Sequence, residues 1–571
     1  MTYASRRSGG SLWHWAVFAV VAFLVTTPVI SLVFGSFSSA RLPNDFDIHK
    51  LTLNNYATVW LDPRTYKVFL NTFTYVAGAT TIGIVVATAF AWLCERTNIS
   101  GKIWIYAGVP LTLAMPGMLQ AMAYVLLLSP RIGFLNKGIQ WLGFPPINIY
   151  SLGGMVFIEG IRLVPTAFLM LVPLFKAMDP VLEEAAAMSG ARPHATLRKV
   201  SLRLMLPGLL AVVIYQAMTA LEVFEIPGIL GLPGQIYVFS TKIYSILHGT
   251  EVIPPYGQAN ALAMIYLLIA GAATWFYMRV IGRSERYTIV TGKAYRPRMI
   301  DLGGWRWMAW ILVSVFMLFS VILPFLVLLF VSFLPYLQPP SAAAFHSMSL
   351  VNYRNIFAEP LFSGVILNTL FLVFITSTMT VGASFLISLV VVRSTFWGRR
   401  LLDQLAFMPH AIPGIVMGLA FLWLFLQGMK IGIDVHGGIF AMSLAFTVSF
   451  IAYGTRAMNA AILQIHKDLE EAAYVSGAPR WRTVLRIFGP LMLPTFAGVW
   501  IWSTLHAVRQ AGMPLMLYQG EENKVLSIMI WNLWSDGKIQ QVGAIGALLI
   551  VLLLLLTVIV RLIGFGRRSN A

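Results

Sequence analysis

Runs of about 20 consecutive apolar residues recur along the whole chain, and this constrains its fold more than any other feature. That is the length an α-helix needs to cross the ~30 Å hydrocarbon core of a bilayer. Twelve such runs predict membrane spans near 15–37, 67–93, 103–128, 150–175, 204–226 and 258–281, then 307–333, 364–392, 401–426, 438–454, 491–510 and 542–563. Composition agrees, since 58% of the 571 residues are hydrophobic and only 11% are charged. A soluble domain carries about 25% charged residues, so a water-soluble multidomain enzyme is excluded. Intrinsic disorder is excluded by the apolar content. The expected fold class is an all-α polytopic membrane protein of about twelve transmembrane helices. The first run follows Arg6 and Arg7, as a secretory signal would, but its apolar core outlasts the roughly 7–15 residues of such a segment and reads as a retained anchor.

The formal net charge is +18, from 40 Lys and Arg against 22 Asp and Glu. With a cytoplasmic N-terminus, the inner loops collect Arg192, Arg198, Lys199 and Arg203, then Arg393, Arg399 and Arg400, then Arg480, Arg482 and Arg486. The central segment with Arg286, Lys293, Arg296 and Arg298 and the tail with Arg567 and Arg568 also fall inside. This is the positive-inside distribution, and it predicts that both termini are cytoplasmic. No basic helix or aromatic-rich motif accompanies the charge, so no nucleic-acid partner is expected. The single cysteine, Cys94, excludes an intrachain disulfide and a cysteine metal cluster, and reads as a packing residue.

The chain repeats itself. Asn55-Tyr56 returns as Asn352-Tyr353, Asp62-Pro63 as Glu359-Pro360, and Leu70-Asn71-Thr72 as Leu367-Asn368-Thr369, all at an offset of 297. Arg96 with Gly101-Lys102 and Pro116-Gly117 keep that offset in Arg393 with Gly398-Arg399 and in Pro413-Gly414. Glu183-Glu184-Ala185-Ala186 returns as Glu470-Glu471-Ala472-Ala473 at an offset of 287, which Ser189-Gly190-Ala191 and Leu206-Pro207 share. Ten extra residues therefore lie in the first half between Gly117 and Glu183. Two homologous six-span halves of like orientation are fused, 1–285 and 307–571, joined by a basic cytoplasmic linker at 286–306. Such parallel repeats pack about a pseudo-twofold axis along the membrane normal. Pro116-Gly117 and Pro413-Gly414 predict kinks in the third and ninth spans.

The most informative segments are the inner loops between the fourth and fifth spans of each half, 176–203 and 463–490. Asp179 and Pro180 are a favoured pair at a helix start. Glu183 and Glu184 then fall in the first turns, where a carboxylate suits the helix dipole. Leu182, Ala185 and Ala186 share a face, and Gly190 or Gly477 ends the helix in the position where glycine is favoured. A basic stretch follows before the chain re-enters the membrane. The expected product is a short helix held crosswise at the inner face, with small residues open for docking.

This pattern, Glu-Ala-Ala, three residues, Gly and a later Leu-Pro, resembles the EAA loop of permease subunits from binding-protein-dependent ABC importers. Both copies keep the spacing, and the resemblance covers nearly the whole chain. Asn-Tyr and Leu-Asn-Thr ahead of the second span are similar to the fused ferric-iron importer permeases, and relatives of like architecture serve 2-aminoethylphosphonate, thiamine or polyamines. The resemblance implies the type I importer transmembrane fold in a bacterial inner membrane. It implies that Glu183, Glu184, Ala185, Ala186 and Gly190, with Glu470, Glu471, Ala472, Ala473 and Gly477, form coupling helices for two cytoplasmic ABC ATPase subunits. ATP and Mg would sit on those subunits, and a periplasmic solute-binding protein would deliver the solute for transport by alternating access. Ferric iron is the first expectation for the substrate.

The chain carries no Walker A segment: Gly101-Lys102, Gly292-Lys293 and Gly537-Lys538 lack the following Ser or Thr and the upstream glycine. No cofactor, metal cluster or catalytic residue is expected on it. Ionisable residues inside spans cost at least ~2.5 kcal/mol each on insertion scales and need a reason. Glu159 and Arg162, three apart, predict a structural intrahelical pair ahead of a solute contact. Glu222 on the fifth span and Arg509 on the eleventh differ by 287 and are repeat-equivalent. The resemblance implies that their spans line the translocation path, where they would form a gate, contact solute or make a structural salt bridge. Glu225 and His506 are weaker candidates for the same path. A major-facilitator carrier also has two six-span halves, but it leaves the paired Glu-Ala-Ala loops unexplained. A membrane-embedded transferase would need clustered His, Asp or Glu in one loop, and none is visible.

Overall fold

The computed structural model describes residues 12–178, 181–190, 192–249, 251–284, 299–430, 432 and 435–566. The readings at Arg6, Arg7, Asp179, Pro180, Ala191, Arg286, Lys293, Arg296, Arg298, Arg567 and Arg568 lie outside these residues. Among the described residues the chain is helical, with isolated bridges in place of strands.

Nine helices among the described residues are long and apolar enough to cross a bilayer, and three bent pairs bring the number to twelve. All twelve fall on the apolar runs of the sequence. The unbroken spans are Leu12–Ser36, Pro63–Arg96, Leu152–Ala177, Tyr256–Val280, Trp305–Ser332, Phe362–Arg393, Ile439–Gln464, Trp481–Arg509 and Ile539–Leu556. Pro63 opens the second span, where its missing N–H is one the helix leaves unpaired anyway. Its 34 residues make a rod of about 51 Å, long enough to carry Arg96 beyond the hydrocarbon.

The third and ninth spans are broken rather than kinked. Lys102–Ala114 and Gly117–Leu128 meet at 92°, and Arg399–Ala411 and Gly414–Met429 at 108°. In the third span a 3-10 turn at Thr112–Ala114 tightens the helix end, and Met115 and Pro116 then run extended (ψ 115° and 134°). A proline ring pushes the preceding residue out of the α region, so the chain leaves the helix one residue before the ring and restarts after it. Ile412 does the same ahead of Pro413 (φ −105°, ψ 113°). The fifth span is bent as well, by 79° between Leu197–Leu204 and Leu206–Glu222, and its helix stops at Glu222 instead of running to 226. The tenth continues ten residues past the expected 454. Its added turns carry Arg456 and Asn459, which meet Asp403 at 3.2 and 3.3 Å.

Two compact units emerge from the packing. One comprises Met1–Pro63, Ile243–Leu268 and Glu359–Trp531, and the other Arg64–Lys242, Ile269–Ala358 and Asn532–Ala571. Each unit therefore takes most of its spans from one sequence half and its opening span from the other. In the first unit Gly35 of the first span lies so close to Trp423 that a Cβ would come within 2.7 Å of the indole. In the second, Gln120 donates to Ser320 O at 3.2 Å and Tyr124 to Phe319 O at 2.7 Å, fixing the seventh span against the second part of the third. Phe90, Phe168, Phe175 and Phe316 centre its core, with Cys94 buried among them.

The repeated motifs turn out to be locks. The Asn55 amide donates to Ser36 O and Ser38 O at 3.1 and 2.8 Å, and Asn352 donates to Ser332 O and Leu334 O at 2.9 and 2.7 Å. Tyr56 and Tyr353 each pair with a serine hydroxyl, Ser36 and Ser332, at 2.8 Å. Asn71 donates to Tyr237 O at 3.1 Å and Asn368 to Lys524 O at 3.0 Å, so each second-span motif holds the loop that follows its half's fifth span.

Candidate functional site

The two loop helices are Val181–Met188 and Asp468–Val475. Both place two glutamates in the first turn, facing the positive end of the helix dipole. Gly190 and Gly477 follow with φ of 79° and 77°, the left-handed region that glycine enters without steric cost. In the second copy the N–H of Ala478 bonds to Ala473 O at 2.9 Å and that of Gly477 to Tyr474 O at 3.0 Å, closing the helix end. The second helix starts after Lys467 with no side-chain cap, and Asp468 pairs instead with His466 at 3.0 Å.

Each loop helix is fastened by one arginine. Arg96 Nε pairs with Glu183 at 2.7 Å, and its Nη2 donates to Phe175 O and Met178 O at 2.8 and 3.2 Å. Arg393 Nε pairs with Glu470 at 3.0 Å, and its Nη2 donates to Ile462 O and Ile465 O at 2.9 and 2.5 Å. The four carbonyls lie at the ends of the fourth and tenth spans, where a helix leaves its last C=O groups unpaired and favours a cation. Glu183 and Glu470 thus face the bundle, each half-buried, while Ala185, Glu471 and Ala472 are exposed and Glu184, Ala186 and Ala473 half-buried. The most exposed apolar side chains of the two helices are Met188 at 87% and Val475 at 89%. These two are repeat-equivalent, and sequence reading passed over them because one apolar residue in a loop carries no periodic signal.

The path candidates are dispersed. Glu222 is exposed and is the last residue of its helix, and Arg509 is the last of its own. They belong to different compact units. Arg509 Nε donates to Leu505 O at 2.8 Å, and His506 Nδ1 is 2.8 Å from Trp502 O with its ring stacked on that indole. Glu225 is half-buried just past the end of the fifth span. Glu159 and Arg162 do form the intrahelical pair: Nε and Nη2 donate to the two carboxylate oxygens at 2.8 and 2.6 Å. The Arg162 stem lies over Gly117, at the break of the third span. Among the described residues, no group of three or more His, Cys, Asp or Glu is placed to hold a metal ion. A cavity of about 340 Å³ in the first unit is lined by His248, Tyr256, His436, Tyr518 and Gln519 among others, and none of the path candidates borders it.

Residues 381–567 match the family model described as a binding-protein-dependent transport system inner membrane component. That stretch contains the second loop helix and the spans on either side of it. Across that stretch the chain is similar to the permease component of binding-protein-dependent importers. It is similar to the ferric transport system permease protein FbpB of Actinobacillus pleuropneumoniae, 25% identical over 492 residues, 85% of this chain and 68% of that protein. A putative ferric transport system permease protein FbpB of Haemophilus influenzae is 24% identical over 498 residues, 86% of this chain and 75% of the relative. Among solved structures, a bacterial ABC transporter that imports the acidic polysaccharide alginate aligns at a TM-score of 0.39 and 19% identity, over 49% of this chain and 96% of that one. These relatives are permeases, transport proteins rather than enzymes, and the permease is a multi-pass protein of the inner membrane.

Proposed function

We propose that the permease forms the whole translocation pathway of an ATP-driven importer, with both termini cytoplasmic. Two ATPase subunits, which bind ATP and Mg, dock on the loop helices, and a periplasmic binding protein delivers the solute. The observation that carries this reading is the paired construction of the loops. Two helices 287 positions apart share the same glutamates, the same arginine fastening, the same left-handed glycine and the same exposed apolar tip, Met188 or Val475. Small exposed side chains beside one large apolar tip suit insertion into a groove, the helix-in-groove mode of recognition. ATP-driven closure of the ATPase pair moves the two helices, and the bundle alternates between outward and inward openings. A gradient-driven major-facilitator carrier has no use for two such docking helices.

For the substrate we propose ferric iron, because both long-matching relatives above are ferric permeases by name. Phosphonate, thiamine and polyamine solutes are the next choices. Two measurements test the reading. Tagged permease is extracted gently with and without Gly190→Asp and Gly477→Asp. An ATPase subunit is expected with the wild type and lost from the folded double variant, and its absence from the wild type overturns the docking reading. Uptake of radiolabelled ferric iron by cells expressing the complete system then tests the substrate, and a wild-type system that takes up no iron overturns that part alone.

A further inference from the structure

The arginine fastenings have a geometry that docking alone does not require. Each guanidinium grips the loop helix with Nε and the end of the fourth or tenth span with Nη2, while its own backbone ends the second or eighth span. Three elements meet at one planar, multiply donating side chain, a role that the point charge of lysine does not fill. Arg96 is 3% exposed and Arg393 12%, so both pairs are largely shielded from screening by solvent. A helix is stiff along its axis, so a displacement of Glu183 is delivered to one end of a 34-residue rod.

The two clasps are unequal. Glu183 also accepts a hydrogen bond from the Ser201 hydroxyl. The Arg96 carbonyl accepts the Ile300 N–H at 2.9 Å, the Asn98 N–H returns to Ile300 O at 3.1 Å, and the Asn98 amide donates to Asp301 at 2.7 Å. Residues 300–301 lie in the linker that joins the halves, a segment the chain contains once, so among the described residues only the first clasp has this buttress. In the second half the place of Ser201 is taken by Phe488, whose ring lies 5.6 Å from the Arg393 guanidinium. Arg393 itself closes a π-helical turn, Leu389–Arg393, whereas Arg96 ends a regular α-helix.

Resting on the docking role proposed above for the loop helices, we propose that Arg96 and Arg393 are positioning residues that carry movement of those helices into the second and eighth spans, the second clasp being the weaker link. The test uses the copurified permease–ATPase complex with Tyr66→Cys or Ser363→Cys as reporters at the outer ends of the two spans, read by maleimide labelling with and without ATP. In the parent complex ATP changes the labelling rate at both reporters. Arg96→Lys with Arg393→Lys keeps the charge and removes the planar, multiply donating group, without touching the docking helices themselves. This pair is expected to retain bound ATPase and basal ATP hydrolysis while the ATP-dependent change shrinks by about fivefold or more. Arg393→Lys alone is expected to lose more of the response than Arg96→Lys alone, and it serves as the test if the double variant is not recovered as a complex. The proposal is overturned if the variants lose the ATPase, if the labelling response persists at wild-type size, or if ATP leaves the parent reporters unchanged. The reverse order of the single variants overturns the ranking of the clasps. A parent permease that captures no ATPase instead refutes the docking reading itself.

Discussion

The Thr72 hydroxyl accepts the N–H of Phe239 at 3.1 Å across 167 positions of chain, and Thr369 accepts that of Leu526 at 2.8 Å in the repeat. Both hydroxyls also donate within their own helix, to Val68 O and Val365 O at 2.7 Å. The acceptor thus holds a buried N–H at the start of a helix, Phe239–Leu247 or Leu526–Ser535, that lies between the fifth and sixth or the eleventh and twelfth spans. Thr72→Val keeps the shape and strands the Phe239 N–H, at an expected cost of about 1–3 kcal/mol. A lowered thermal unfolding midpoint in detergent, restored by Thr72→Ser, is the expected result.

Gly454 faces Ser384 across the eighth and tenth spans, and a Cβ added there would come within 2.9 Å of the Ser384 Cβ. Small residues allow such close approach where lipid supplies no hydrophobic drive between helices. Gly454→Ala is expected to destabilise the permease by about 1–3 kcal/mol through overpacking. Gly382 supplies the control, because a Cβ added there meets nothing within 4 Å. Gly382→Ala should leave the midpoint unchanged or raise it.

Glu159 is fully buried and bidentate to Arg162. Removing one partner of a buried pair costs about 3–5 kcal/mol, whereas replacing both by apolar residues of like volume is often close to neutral. Glu159→Leu is therefore expected to lower expression and thermal stability sharply, and Glu159→Leu with Arg162→Met to recover most of the loss. Loss of solute uptake in a stable double variant would mark the pair as part of the path rather than of the scaffold.

Asp301 lies outside the spans, and its carboxylate accepts from Gly303 N–H, the Asn98 amide and Arg306 at 3.1, 2.7 and 3.1 Å. These donors, the Gly303 backbone first, hold its pKa below the ordinary value of 3.8. A carboxylate with a depressed folded pKa contributes stability above its unfolded value and loses it as pH falls through the folded one. The pairing of residues 96–98 with 300–302 should therefore persist at neutral pH and loosen only below about pH 3.8. Asp301→Asn removes the charge at pH 7, and faster hydrogen exchange at Ile300 and Leu302 is the expected readout.

The membrane spans and the recurrence of the short motifs were legible because run length and identical residues at fixed offsets are properties of the chain itself. The loop helices were legible for the same reason, down to Gly190 and Gly477. The fastening was not, although Arg96 and Arg393 stood out as repeated residues. The ion pair between Arg96 and Glu183 is set by how a long span overshoots the membrane and meets a loop, which periodicity does not encode. Pro116-Gly117 announced a bend but not its size, since 92° depends on the 3-10 turn before it and the packing after it. The inner end of the tenth span was missed because Arg456 reads as a boundary until Asp403 is placed beside it.

The extended backbone at Met115–Pro116 and Ile412–Pro413 interrupts helices at membrane depth. The turns on either side take up part of the interrupted hydrogen bonding: the Met115 N–H reaches Thr112 O at 3.1 Å and the Gln120 N–H reaches Pro116 O at 2.9 Å, as the Ile412 N–H reaches Pro409 O at 3.0 Å and the Met417 N–H reaches Pro413 O at 2.9 Å. A peptide group left over finds no partner in hydrocarbon and would cost several kcal/mol. Met115, Pro116, Ile412 and Pro413 are all buried, so protein rather than acyl chain is the neighbour of both breaks.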